Sequence, residues 1–210
     1  MTEDGTNGSE WADPAAFGLA PLAGINLAFA GDFLGWWGPD AAVLVAAIGF
    51  VGGICQLLTG LLSMKRGDGG GGTLMATFGM LFMWGPALML TLEAVGVASG
   101  IQPFFGAWSV FLGVLLGMWS LALLDKPWFE FLIGPLGFGA LTAAGLHDLV
   151  GLPAVVAGGG FLALLAWGLY MLAHALGAVS GISVPLGRPA VELLGGEAVG
   201  ETDGQYAHGD

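Results

Sequence analysis

Six long runs of apolar residues, separated by short polar breaks, constrain the fold of this chain more than any other feature. A helix that crosses the hydrocarbon core of a bilayer needs about 20 mostly apolar residues. Inside a bilayer every backbone amide and carbonyl must be hydrogen-bonded within the protein, which favours helices for runs of this length. The runs extend over about residues 14–36, 41–64, 73–92, 103–124, 127–147 and from 153 to a point between 176 and 185.

The composition agrees with a chain that lies mostly in lipid. Hydrophobic residues make up 56% of it and charged residues 10%, against roughly 25% charged residues in an average globular protein. Only four residues are lysine or arginine, so the basic footprint that nucleic acid requires is missing and we expect no nucleic-acid binding. Acidic, Gly-rich ends predict disordered tails at residues 1–12 and 188–210, around a six-helix transmembrane domain at residues 13–187.

The basic residues predict the orientation of the bundle. Lys65 and Arg66 fall between the second and third runs, Lys126 between the fourth and fifth, and Arg188 after the sixth. Because positive charge concentrates on the cytoplasmic side of a membrane, these loops and both termini are expected in the cytoplasm. The sequence therefore predicts an all-α, polytopic protein of the plasma membrane, a six-transmembrane-helix bundle with an N-in/C-in topology.

Polar side chains within the apolar runs are candidates for a functional site, because such groups are costly in a bilayer. The clearest are the amides of Asn26 in the first helix and Gln56 in the second, followed by the hydroxyls of Thr73 and Thr77 in the third. The amides fit two roles equally well: hydrogen bonds between helices, or the lining of a substrate pathway. A threonine can also satisfy a carbonyl of its own helix, so the hydroxyls alone decide little.

Other chemistries find little support in the sequence. The single cysteine, Cys55, excludes an intrachain disulfide and a cysteine metal site. His147 and His174 are expected near opposite membrane surfaces, too far apart to ligate one haem iron. No lysine lies in mid-membrane for a retinal-type Schiff base, and the GxSxG motif of serine hydrolases is absent. We therefore expect no enzymatic activity, no metal and no cofactor.

Several short motifs recur in an order and spacing typical of one family. Residues 13–19 read DPAAFGL, residues 52–56 read GGICQ, residues 65–67 read KRG and residues 111–119 read FLGVLLGMW. In this order the chain resembles the acetate uptake transporters, the SatP-type succinate–acetate permeases, over about residues 13–187. The family opens with NPAPLGL, and the corresponding motif residues here are Asp13 in place of Asn, then Pro14, Ala15, Gly18 and Leu19.

The resemblance implies a function and a constriction. Members of this family have six helices, assemble as hexamers, and conduct acetate or related carboxylates through each protomer. Their pore is narrowed by three apolar side chains, which correspond by position to Leu22, Phe78 and Leu136. Phe78 stands where the family usually has tyrosine, so one hydroxyl is missing from the expected constriction and the substrate preference is in doubt.

Two hypotheses about function follow. The first is a transporter or channel for acetate and other short-chain carboxylates, with succinate and proton linkage as further expectations, working in a lipid bilayer as a homohexamer. The second is a membrane subunit that does not transport and instead binds a partner protein or a lipophilic cofactor. In the second case Asn26 and Gln56 would serve only to hold helices together.

Overall fold

A computed structural model describes residues 12–38 and 41–195 of the chain. In these ranges six helices are long and apolar enough to cross a membrane, which confirms the predicted all-α bundle. The spans are Ala15–Phe33, Ala41–Lys65, Gly69–Ala94, Gln102–Leu123, Trp128–Val150 and Ala154–Ser180. They comprise helices α1 (Ala15–Phe33), α2 (Ala41–Lys65), α3 (Gly69–Phe78), α4 (Gly85–Ala94), α5 (Gln102–Trp119), α6 (Trp128–Phe131), α7 (Ile133–Val150) and α8 (Ala154–Ser180); a short helix, α9 (Ala190–Leu193), follows the sixth span.

The spans pack around a shared centre. Helix α1 lies between α2 and α8, α7 packs on α8, α5 packs on α7, and α3 packs on α2. Core side chains such as Phe29, Met83, Leu112 and Phe161 are buried where the spans meet. Many large apolar side chains instead point away from the bundle, Val51 among them, and hydrocarbon is the surrounding that such a surface suits.

The third span begins four residues earlier than the sequence indicated. Gly69–Gly72 was expected to be loop, because glycine is a poor helix former, yet these residues form the first turn of α3. The Asp68 side chain caps this turn by accepting a hydrogen bond from Gly71 N at 3.0 Å. A Cβ atom on Gly72 would lie 2.7 Å from Gly60 O of α2, so the close approach of two backbones outweighs the low helix propensity.

A π-helical segment, Gly79–Trp84, interrupts the third span and joins α3 to α4. Its end is explained by Pro86, which has no amide hydrogen to continue the π-helical hydrogen bonds. Gly85 N donates the last π-helical hydrogen bond, to Met80 O. The next carbonyl, Leu81 O, can receive no such bond from Pro86 and accepts from the Trp108 indole of α5 at 3.0 Å. π-Helical turns inside α-helices are frequent at functional sites.

The segment after the sixth span is ordered further than predicted. Residues 188–195 were expected to belong to a disordered tail, but Ala190 N and Val191 N each donate at 2.9 Å to carbonyls of residues 126 and 124. Ala190 is buried against this loop. These bonds satisfy backbone groups of both segments and explain the added order. The rest of that tail and residues 1–11 lie outside the described residues.

Candidate functional site

Four cavities follow one another through the bundle and share lining residues. A lower vestibule of about 290 Å³ adjoins a chamber of about 60 Å³, with Trp167 in the lining of both. Phe82 is shared by the chamber and a neck of about 10 Å³. Phe29 is shared by the neck and an upper vestibule of about 300 Å³. The cavities therefore form a series from one end of the bundle to the other, which we call the path.

The chamber is apolar except for two amides, and we call it the amide chamber. Asn26 and Gln56 are each 1% exposed, and both line the chamber. The remaining lining is Leu22, Leu74, Met75, Phe78, Phe82, Leu116, Ile133, Leu141, Leu164 and Trp167.

The hydrogen bonds of Asn26 fix which of its atoms is left available. Its Nδ2 donates to Leu22 O at 2.7 Å. Since a backbone carbonyl can only accept, the NH₂ end must face Leu22 and Oδ1 is the free end. Asn26 Oδ1 has no hydrogen-bond partner among the described residues.

Gln56 is held more weakly. Its Nε2 lies 3.7 Å from the Met75 sulfur, a weak acceptor, and its Oε1 is also without a partner in the described part of the chain. Buried polar atoms without a partner are rare in native structures and call for an explanation. A polar solute or water in the amide chamber would supply the missing bonds.

The neck is built from stacked phenylalanines. Phe29 stacks on Phe161 with ring centroids 5.2 Å apart and contacts Phe82 at 5.7 Å. Phe33 also stacks on Phe161, with ring centroids 5.7 Å apart. With its volume of about 10 Å³, the neck is the smallest of the four cavities.

The vestibules are wider and carry the charged groups of the path. The lower one is lined by Asp13, Asp68, Glu130 and His174, at the end of the bundle where the loops with Lys65 and Lys126 lie. The upper one is lined by Asp32, Glu93, His147 and Asp148. Each histidine ring contacts a backbone carbonyl through Nδ1: Leu152 O for His147 and Val184 O for His174, both at 2.7 Å.

The structure brings together some of the candidate residues and leaves others apart. Leu22, Asn26, Gln56 and Phe78 all line the amide chamber.

The other candidates for the substrate pathway and the constriction lie outside the four cavities. Thr73 is exposed and donates to Gly69 O at 2.6 Å, which is the bond within its own helix that the sequence allowed. Thr77 is half-buried, and Leu136 packs against the core. The proposed constriction of Leu22, Phe78 and Leu136 stays a prediction.

The motif at residues 13–19 overlaps the start of α1 and contributes to the lower vestibule. Asp13, Ala15 and Leu19 line it, and Asp13 Oδ1 accepts from Ala15 N at 2.9 Å. Gly18 faces α2, where an added Cβ would lie 2.9 Å from the Thr59 hydroxyl oxygen. Pro14 O accepts from that hydroxyl at 3.4 Å.

Sequence reasoning missed the phenylalanines of the neck. A signal was present: Asn26, Phe29 and Phe33 follow Leu22 at intervals of four, seven and eleven residues, the spacing of one helical face. Phe82 likewise follows Phe78 by four residues, although the π-helical segment intervenes. Phe161 offered no such signal, because its approach to Phe29 depends on how α8 packs on α1.

Comparison with known proteins places this arrangement in context. No protein-family model matches the chain. The chain is 29% identical over 195 residues to the succinate-acetate/proton symporter SatP of Escherichia coli strain K12, and the aligned region covers 92% of each protein. The protein of the same name from Shigella flexneri matches equally. The fold is similar to the solved structure of the bacterial acetate channel SatP, with a TM-score of 0.74, 22% identity, and coverage of 84% of this chain and 98% of that one.

These similarities confirm the resemblance that the motifs indicated. The structural match extends over most of both chains and supports the six-helix fold. The chain is a multi-pass membrane protein.

Proposed function

We propose that this chain transports acetate and other short-chain carboxylates, succinate included, across the plasma membrane with linkage to protons. The observation that carries the proposal is the pair of buried amides in an apolar chamber between two wide vestibules. The names of its relatives, a succinate-acetate/proton symporter and an acetate channel, support it independently. Nothing in this function requires a cofactor or a catalytic group, and we propose that the chain is not an enzyme.

The sizes and polarity of the cavities suit a small carboxylic solute. A cavity needs roughly 10–15 Å³ to hold one water, so the amide chamber, at about 60 Å³, accepts a solute of a few heavy atoms. Its apolar lining disfavours a hydrated inorganic ion, which would lose its water shell there. A methyl group gains from the same lining, while the amides offer hydrogen bonds to a carboxyl group.

Orientation and assembly complete the proposal. The N-in/C-in topology, inferred from the basic loops, puts the lower vestibule on the cytoplasmic side. The apolar outer faces of the spans suit contact with lipid and with further copies of the chain. On the strength of the family resemblance we propose a homohexamer in which each protomer carries its own path.

Uptake of labelled acetate into proteoliposomes tests this function. Influx should exceed that of protein-free liposomes made from the same lipid, should increase with an inward proton gradient, and should be reduced by unlabelled succinate. Influx equal to the protein-free value under every gradient would contradict transport and would favour the alternative of a non-transporting membrane subunit.

A further inference from the structure

Two buried oxygens without a partner among the described residues, Asn26 Oδ1 and Gln56 Oε1, suit the amide chamber to a solute that donates a hydrogen bond. A carboxylate has only acceptor oxygens and needs donors. Asn26 presents its Oδ1 as an acceptor, because its NH₂ group is turned toward Leu22 O at 2.7 Å, a bond that uses one of its two N–H groups. Its free Oδ1 is buried and without a partner among the described residues, so a carboxylate entering the chamber would leave this oxygen unsatisfied.

An undissociated carboxylic acid has the opposite pattern and matches the two amides. Its O–H group can donate to Asn26 Oδ1, and its carbonyl oxygen can accept from Gln56, whose NH₂ group makes only a 3.7 Å contact with sulfur. An amide NH₂ has two hydrogens, so this contact leaves donor capacity. The acid is also neutral, and burying a neutral group costs far less than burying an ion.

The charge of the upper vestibule also favours the undissociated acid over the carboxylate. The upper vestibule is lined by Asp32, Glu93 and Asp148 together with His147. The chain has only four lysines and arginines, and all of them, Lys65, Arg66, Lys126 and Arg188, belong to segments at the lower end. A vestibule lined by negatively charged carboxylates repels a carboxylate ion but does not repel the neutral acid.

We propose that Asn26 and Gln56 form a binding subsite for the undissociated carboxylic acid, so that the proton crosses the membrane on the substrate. The acid forms by protonation of the carboxylate in the water of one vestibule. It passes the chamber with its O–H bonded to Asn26 Oδ1 and releases the proton to water beyond the opposite vestibule. This inference rests on the proposed function and specifies the chemical form of its substrate.

Other titratable groups along the path do not replace this subsite. Among the described residues, Asp13, Asp68, Glu130 and His174 line the lower vestibule, with Lys126 near enough to Glu130 to interact electrostatically. The upper vestibule has Asp32, Glu93, His147 and Asp148. The lining of the amide chamber includes no Asp, Glu, His, Lys or Arg, so a proton that crosses this part of the path must be carried by the substrate or by water.

Proteoliposomes with a controlled membrane potential distinguish the acid from the anion. Labelled acetate is the probe, and the influx of protein-free liposomes is subtracted at each pH. At fixed total acetate, protein-dependent influx should fall about tenfold per pH unit well above the acid's pKa, which is about 4.3 for a comparable aliphatic carboxyl group. It should not respond to a potential of 100 mV, which would shift the accumulation of an anion by about 50-fold.

A neutral isostere and a matched pair of variants test the subsite itself. Acetamide has an N–H donor and a carbonyl but no charge, and it should be transported and should compete with acetate. Asn26→Leu removes the acceptor and should reduce influx of both probes at least tenfold. Thr142→Val, which alters a buried hydroxyl outside the four cavities, should leave both influxes unchanged.

The possible results separate this inference from the proposed function. Influx that follows the anion concentration and responds to the potential would overturn the inference while leaving acetate transport intact. Electroneutral influx that excludes acetamide would also overturn it, since a subsite for a neutral solute with one donor and one acceptor should admit this isostere. Absence of acetate influx under every condition would overturn the proposed function as well. The potential and acetamide measurements use the unaltered protein, so they remain decisive if Asn26→Leu does not fold.

Discussion

Gln56 and Asn26 occupy positions where an apolar side chain would pack without leaving a polar atom unsatisfied. Both amides are fully buried, and each has an oxygen with no partner among the described residues. Replacing a buried polar atom that has no partner by an apolar group of similar shape leaves no partner unsatisfied and removes the penalty of burying the unpaired atom. A polar solute in the amide chamber would satisfy both oxygens, whereas the packing of the helices leaves them without partners among the described residues.

Gln56→Leu should therefore separate transport from stability. We expect acetate influx to fall by about twofold to tenfold, since one hydrogen bond to the substrate is worth roughly 0.5–1.5 kcal/mol and 1.4 kcal/mol corresponds to a factor of ten. The melting temperature in detergent should be unchanged or higher. Thr91→Val is the control, because that hydroxyl bonds only Ala87 O of its own helix. Normal influx through Gln56→Leu would remove Gln56 from the substrate path.

Phe29 and Phe78 give a comparison between the neck and the amide chamber. Phe29 lines the neck of about 10 Å³, whereas Phe78 lines the chamber of about 60 Å³. If the neck limits the size of the solute, Phe29→Ala should raise the lactate-to-acetate influx ratio more than Phe78→Ala does, by several-fold per folded protein.

Simple packing roles for these phenylalanines predict another pattern. Removing a buried phenylalanine side chain costs about 3–5 kcal/mol of stability. Without a gating role, each variant would yield less folded protein and equal losses of lactate and acetate influx. A larger ratio in Phe78→Ala than in Phe29→Ala would place the limiting constriction at Phe78, as the family resemblance implied.

At the scale of elements, the third span determines how the path is lined. Its π-helical segment lies between Phe78 and Pro86, and it places Phe82 where the amide chamber and the neck meet. The Trp108 indole stabilises this distortion by donating to the Leu81 carbonyl at 3.0 Å. An irregular backbone in a membrane persists only where its polar groups find such partners.

Trp108→Phe should destabilise the bundle, because it removes the hydrogen bond to the Leu81 carbonyl. Loss of the donor leaves Leu81 O without its indole partner, at a cost of about 1–3 kcal/mol, so the melting temperature in detergent should fall. Trp119→Phe is a matched control, because the Trp119 indole nitrogen is buried and has no partner among the described residues. Equal effects of the two substitutions would show that the bond to Leu81 contributes nothing.

The spans themselves were predictable, but their irregularities were not. Length and hydropathy locate the six helices, and Pro103 and Pro127 mark starts that the structure has at Gln102 and Trp128. The helical turn Gly69–Gly72 contradicts the usual propensity because it packs against Gly60 of α2. The π-helical segment depends on an indole from another helix, which a single run of sequence does not reveal.

The site was partly predictable for a related reason. Asn26 and Gln56 are conspicuous because they are amides within apolar runs, and the structure places both in one chamber. The neck is made of phenylalanines, which look like ordinary core residues in a sequence. Only the packing of α8 on α1, which stacks Phe161 on Phe29, brings them together around one cavity.

At the scale of the whole molecule, charge divides the bundle into two unlike ends. All four lysines and arginines belong to one end, and carboxylates with His147 line the vestibule at the other. A bundle with one basic end inserts with that end in the cytoplasm. The acidic upper vestibule would then face the outside of the cell.

Single-cysteine labelling tests this orientation. In a Cys55→Ala background, cysteines introduced at Gly70 and Asp125 should react with an impermeant thiol reagent only after the cells are opened. A cysteine at Gly100, in the loop between the third and fourth spans, should react in intact cells. Reaction of either of the first two positions in intact cells would contradict the N-in/C-in topology.

The central claim is that a short carboxylic substrate passes through the amide chamber, and a cysteine in the chamber tests it most directly. Leu164 lines the chamber, while Leu169 of the same helix is 51% exposed on the outer surface. In a Cys55→Ala background, a small methanethiosulfonate reagent should abolish acetate influx through Leu164→Cys, and acetate present during the reaction should slow the loss. Leu169→Cys should retain its influx after the same treatment. Undiminished influx through fully modified Leu164→Cys would contradict a path through this chamber.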